Sequence, residues 1–167
     1  YQQSFTTRRA DVTQHRFKTW LSPGHPVMRL TFNQPVTKDS ATAALTLVTE
    51  AGKIVAVKLA ADPDDHQAPS FIPVPGERGG FLFFGRQEKR KSDDQLTSKN
   101  GIEARRVWLL EPAEELPLES AVTLKLSPGM VSAIGPEKSV VSRDVVNFET
   151  YPSLSFIGLR CFDNNGD

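Results

Sequence analysis

The chain has 167 residues, of which 38% are hydrophobic and 24% charged; that is enough apolar matter for one elaborated domain and too much for a disordered segment. Lys plus Arg and Asp plus Glu both number 20, so the formal net charge is zero, which excludes the basic excess of a nucleic-acid-binding chain and any bulk attraction to anionic lipid. The single cysteine, Cys161, can form neither an internal disulfide nor a cysteine-based zinc site, and no apolar run approaches the ~20 residues of a membrane helix.

Residues 1–14 are polar, carry Arg8-Arg9 and read as a leading arm. A first strand is expected over His15–Leu21, with Phe17 and Trp20, followed by a turn at Ser22-Pro23-Gly24-His25-Pro26. Val27–Phe32 alternates, with Met28, Leu30 and Phe32 on one side and Arg29 and Thr31 on the other, the period-2 pattern of a half-buried strand. Pro35 has no N–H for a ladder and is expected to end it. Leu45–Thr49 and Ile54–Ala60 read as a hairpin across Glu50-Ala51-Gly52-Lys53. Asp62–Gly80, rich in Pro and Gly, reads as a long irregular loop around Phe71-Ile72, and Phe81–Phe84 as a short apolar strand.

Gln87–Gly101 is polar and charged and is expected to be a solvated, mobile loop. Arg105–Leu110 reads as a strand closed by Glu111-Pro112, and Glu114–Glu119 as a turn anchored by Leu116 and Leu118. Ala121–Leu126 is the cleanest alternation, with Val122, Leu124 and Leu126 inward and Thr123 and Lys125 outward; it is expected to return antiparallel to Arg105–Leu110 and to stop at Ser127-Pro128-Gly129. A further strand lies within Ser139–Thr150, and Leu154–Phe162 is a last apolar run. No stretch sustains a 3.6-residue period for three turns. Many short strands spaced by Pro/Gly turns predict an all-β, Ig-like antiparallel β-sandwich with long irregular loops.

The C-terminal half carries a family resemblance. Trp108-Leu109-Leu110-Glu111-Pro112, Glu115-Leu116-Pro117-Leu118-Glu119-Ser120, Val122-Thr123-Leu124-Lys125-Leu126 and Ser127-Pro128-Gly129-Met130-Val131-Ser132 resemble the N-terminal regions of bacterial alpha-2-macroglobulins. Gly135-Pro136-Glu137, Val146–Tyr151 and Leu154–Cys161 continue the likeness. Upstream, Leu30-Thr31-Phe32-Asn33-Gln34-Pro35-Val36 is similar to the first core strand of related Ig-like modules. The resemblance spans roughly Val27–Asn164 and rests on structural motifs. It implies a macroglobulin-like sandwich over residues 15–152, with residues 153–167 as its last strand or the start of a next module. It also implies a large periplasmic protein of stacked modules that traps proteases. The partners expected are neighbouring modules of the same chain, target proteases met through the full-length protein, and other envelope proteins; nucleic acid is not expected. A start at Tyr1 and a stop in Asn164-Asn165-Gly166-Asp167 are expected of a segment of a longer protein.

Motifs that carry chemistry are weak. The family's reactive thioester needs Cys-x-Glu-Gln, whereas Cys161 is followed by Phe162-Asp163-Asn164, so Cys161 reads as a structural thiol. His15, His25 and His66 are far apart, and Asp62-Pro63-Asp64-Asp65-His66 reads as a solvated turn before a metal site. Asp163–Asp167 echoes the start of a calcium loop without the downstream Glu, and Gly76–Gly80 lacks the Lys-Ser/Thr of a phosphate cradle. Trp20, Trp108, Phe81, Phe83 and Phe84 are expected to fill the core or a domain interface. No catalytic, cofactor-binding or metal-ligating residue is assigned, and no cofactor is expected. The candidate partner-contact loop is Glu88, Lys89, Arg90 and Lys91. A ligand-binding Ig-like module of a cell-envelope protein, recognising carbohydrate or acting as an adhesin, is the alternative to the trap module.

Overall fold

The alternation of Met28, Leu30 and Phe32 with Arg29 and Thr31 sits on a strand paired on both sides within a curled antiparallel sheet, seen in a computed structural model that describes residues 8–67, 69–73, 101–156 and 158. Strands β1 (Val12–Ser22) and β2 (His25–Thr37) form a long hairpin. A short helix α1 (Lys38–Ala44) leads to β3 (Leu45–Thr49) and β4 (Ile54–Ala61). Then come β5 (Ser70–Pro73), β6 (Gly101–Pro112), β7 (Ala121–Leu126), β8 (Val131–Ser132), β9 (Gly135–Lys138) and β10 (Arg143–Glu149). The ladder runs β10-β7-β3-β4-β6-β2-β8-β9, with β1 on the free side of β2 and β5 beside β6.

The sheet doubles over into a sandwich because β4 serves both layers. Its first residues pair with β3, as in Leu47 with Val55, and its last pair with β6, as in Leu59 with Leu110. Side chains from both layers then meet. Met28, Leu30, Phe32, Leu59, Trp108 and Leu110 face Leu45, Leu47, Val55, Val122, Leu124 and Leu126 in one buried cluster. Each such side chain contributes roughly 1.5–3 kcal/mol on burial. The indole N–H of Trp108 donates to the Val36 carbonyl at 3.1 Å, which satisfies the single polar group of that buried side chain.

The all-β antiparallel sandwich expected from the sequence is therefore present, and several of its details differ. Pro35 does not end β2. It lies where the β2–β6 register shifts between Thr31 and Val36, so its missing N–H costs no ladder bond, and its carbonyl accepts from Ala133 N at 2.8 Å. The helix α1 was not anticipated, since two turns are too short to show a period. Thr37 caps it by accepting from Ser40 N at 3.2 Å, and Ala41 and Ala44 are buried. β7 does not return along β6; it pairs with β3 and β10, in the opposite layer. Leu116 is buried but Leu118 is 40% exposed, so one leucine of the turn anchors it. Phe71-Ile72 joins a strand that extends the β6 ladder. Leu154, Ser155 and Phe156 are not in a strand, and both apolar side chains face water. Phe81–Phe84, residues 87–100 of the loop expected at Gln87–Gly101, and Cys161 lie outside the described residues, and Gly101 belongs to β6.

The Pro23-Gly24 turn shows how one end of the sandwich is closed. Leu116 N donates to the Gly24 carbonyl at 3.0 Å and Tyr151 N to the Pro23 carbonyl at 3.1 Å. A Cβ on Gly24 would fall well inside contact distance of the Leu116 carbonyl oxygen, which is backbone and cannot turn aside. Gly24→Ala is expected to lower stability by about 1–3 kcal/mol. Gly135→Ala, where a Cβ meets open space, should stay within about 0.5 kcal/mol of the parent. Urea unfolding of the pair checks this, and equal midpoints would show that the turn does not need its close approach.

Candidate functional site

The edge strand β1 is mostly polar and exposed, yet it carries two inward aromatics. In a regular strand Phe17 and Trp20, three apart, would point to opposite faces. The β1–β2 register shifts between Phe17 and Thr19, which inserts Lys18 as an extra residue and brings both rings to the same side. They stack at 5.8 Å with planes 8° apart. Phe148 of β10 stands edge-on to both, and Tyr151 stands edge-on to Trp20 at 4.7 Å. These rings bridge the seam between β1 and β10, the two free edges of the curled sheet. At the other end of the seam Arg143 Nη2 donates to the Val12 carbonyl and to Asp11 Oδ1, the latter at 3.1 Å. Side chains thus close the sandwich where no backbone ladder does.

Beside the seam and just after it in sequence, large apolar side chains are exposed. Leu21 is 64% exposed, Tyr151 55%, Leu154 93% and Phe156 82%. The expectation that Trp20 and Trp108 fill core or interface divides between these two places. Trp108 is buried in the core, and Trp20 is half-buried in the seam.

The same inserted residue builds a charged centre on the outer face. Lys18 Nζ lies 2.7 Å from Asp62 Oδ1 and 2.6 Å from Asp64 Oδ2. Arg29 Nε lies 2.7 Å from Asp62 Oδ2, off the N–H axis, so this contact is an ion pair rather than a directed hydrogen bond. Asp62 is buried, with 1% of its side chain exposed. The solvated turn expected at Asp62–His66 is thus corrected at its first residue: Asp62 is drawn in because two cations and the Asp64 N–H at 3.2 Å compensate its charge. Burial pushes the Asp62 carboxyl up, but the Lys18 hydrogen bond, the Asp64 N–H and the two positive charges outweigh it and hold the group below the usual aspartate range. The hydrogen bonds to Asp62 and then Asp64 raise the Lys18 ammonium above its ordinary value.

Above this centre lies a cavity of about 290 Å³ lined by Arg16, Phe17, Lys18, Arg29, Asp62 and Asp64. A second, shallower one of about 440 Å³ continues along the hairpin, lined by Thr13, Gln14, His15, Arg16, Arg29 and Thr31. The three histidines are not brought together. His15 lines the second cavity, His25 sits 3.7 Å from Glu111, and His66 is exposed on its loop. Among the described residues no three His, Cys, Asp or Glu side chains are close enough to hold a metal ion. The proposed contact loop Glu88, Lys89, Arg90 and Lys91 lies outside the described residues. Reasoning from the sequence missed Arg16, Lys18 and Arg29 as a group, since only the bulge at Lys18 and the hairpin register assemble them. Comparison with known proteins brings no relative: no family model and no curated protein matches this sequence.

Proposed function

We propose that this chain is a non-catalytic structural and interaction module of a large bacterial alpha-2-macroglobulin-like protease-trapping protein of the periplasm. The sequence resemblance over roughly Val27–Asn164 supports the family, and the all-β sandwich is the architecture such a module requires. The observation that carries the interaction role is the set of exposed apolar side chains. Tyr151 is exposed against the half-buried Trp20, and Leu21, Leu154 and Phe156 near them in sequence are exposed too; exposed large apolar side chains of this kind suit an interface. In this reading they dock a neighbouring module, and protease capture is a property of the array.

The test uses the full-length protein and the isolated chain side by side. Full-length protein incubated with an endopeptidase should protect a protein-sized substrate while a small peptide substrate is still cleaved. The isolated chain, at excess, should protect neither. Protection by the isolated chain would place the inhibitory mechanism inside this module, and failure of the full-length protein to protect would remove the trap assignment.

A further inference from the structure

From the outer face of the β1–β2 hairpin we infer that it is an oxyanion-binding saddle for an acidic saccharide, with Arg16 and Arg29 as the two groups that grip a sulfate, phosphate or carboxylate on the sugar. This reading is independent of the trap-module proposal.

Three observations carry it. The first is register. Arg16 and Arg29 are direct cross-strand partners, so both guanidiniums project from the same face. Like charges directly opposite each other destabilise a strand pair, and an anion between them reverses the sign. The second is the local charge count. Lys18 takes one oxygen of Asp62 and one of Asp64, and the other Asp62 oxygen faces Arg29 Nε. Arg16 forms no ion pair among the described residues. Three cations against two carboxylates leave one positive charge, and Arg16 and Arg29 carry it into the second cavity, whose lining holds no carboxylate. The third is shape. The two cavities share Arg16 and Arg29, and the one of about 440 Å³ has no carboxylate in its lining.

The lining also selects the ligand class. Thr13, Gln14 and Thr31 supply hydroxyl and amide groups along the second cavity. Neutral hydrogen-bonding groups beside two guanidiniums suit a sugar bearing an anionic substituent. Buried Asp62 acts as a positioning residue. It anchors Arg29 by the Nε side of its guanidinium, which leaves both Nη nitrogens for the ligand and lowers the entropy lost when the ligand binds.

The test titrates the full chain at low salt with a sulfated tetrasaccharide, with inorganic sulfate and with tetraglutamate, read by calorimetry and by amide shifts on β1 and β2. Arg16→Gln and Lys125→Gln remove the same charge, one inside the saddle and one on the exposed side of β7. The tetrasaccharide should bind, inorganic sulfate should compete with it, and Arg16→Gln should weaken it by about tenfold or more. Lys125→Gln should change it less than about twofold. The Arg16 variant leaves every ion pair to Asp62 in place, so its fold is preserved, and an unchanged far-ultraviolet spectrum verifies this. Equal losses in the two variants, tighter binding of tetraglutamate than of the tetrasaccharide, or no binding by any of the three probes would each overturn the assignment.

Discussion

Leu124→Ala is expected to destabilise the chain by about 2–5 kcal/mol, whereas Thr123→Ala should cost less than about 1 kcal/mol. Leu124 is fully buried in the middle of β7, flanked by Leu47 on β3 and Val146 on β10. Truncation removes the transfer energy of its side chain and leaves a cavity between the two layers, which strands held on both sides cannot collapse to fill. Thr123 pairs with Val48 and Asn147 on the opposite face and is half-buried. It loses little beyond β-propensity. Denaturant midpoints at constant slope check both values. If the neighbours cost the same, the register that places Leu124 in the core is wrong, because a one-residue slip exchanges the two faces.

Removing both cations from Asp62 is the second large effect. In a Lys18→Leu/Arg29→Leu double variant the Asp62 carboxylate, with 1% of its side chain exposed, is left without a counter-charge. The expected loss is about 3 kcal/mol at neutral pH, the lower end of the cost of orphaning a buried charge. The lower end applies because water reaches the Lys18 and Arg29 side chains, 31% and 38% exposed. The pH dependence gives a second signature. In the parent the Asp62 carboxyl is depressed below its unfolded value, so its contribution is present above the unfolded pKa and is lost as pH falls through the folded one. In the double variant burial, the largest of these influences, is opposed only by the Asp64 N–H and raises the group. The folded state then binds the proton more tightly than the unfolded state, and stability recovers as pH falls toward the acid range. Urea midpoints against pH should therefore slope in opposite directions on the acid side. Parallel profiles would mean that the carboxylate is not held by these two cations.

The strands that follow a plain two-residue alternation were legible from the sequence. β7, the β3–β4 hairpin and the first half of β2 appear where Ala121–Leu126, Leu45–Thr49 with Ile54–Ala60, and Val27–Phe32 predict them. In each, one face is buried and the other is not, so local pattern and burial coincide. The class of the fold followed from these strands and from the Pro/Gly turns between them. The order of pairing did not. That β7 joins β3 and β10 rather than β6 depends on which apolar faces find one another across the fold, and several pairings bury the same side chains.

The surfaces proposed to bind were decided by tertiary structure at two places. A single inserted residue, Lys18, changes the parity of β1. It aligns Phe17 with Trp20 inside and sends the lysine to Asp62 outside, and a bulge leaves no trace in a period-2 reading of His15–Leu21. Asp62 opens what reads from the sequence as a solvated acidic turn. It is buried only because β1 and β2, remote in sequence, bring Lys18 and Arg29 to it. Arg16 and Arg29 are likewise two ordinary surface arginines until the Pro23-Gly24 hairpin sets them opposite each other. Local pattern determined which residues lie inside a strand pair. Long-range register, which no short window of sequence contains, determined which charges share a face.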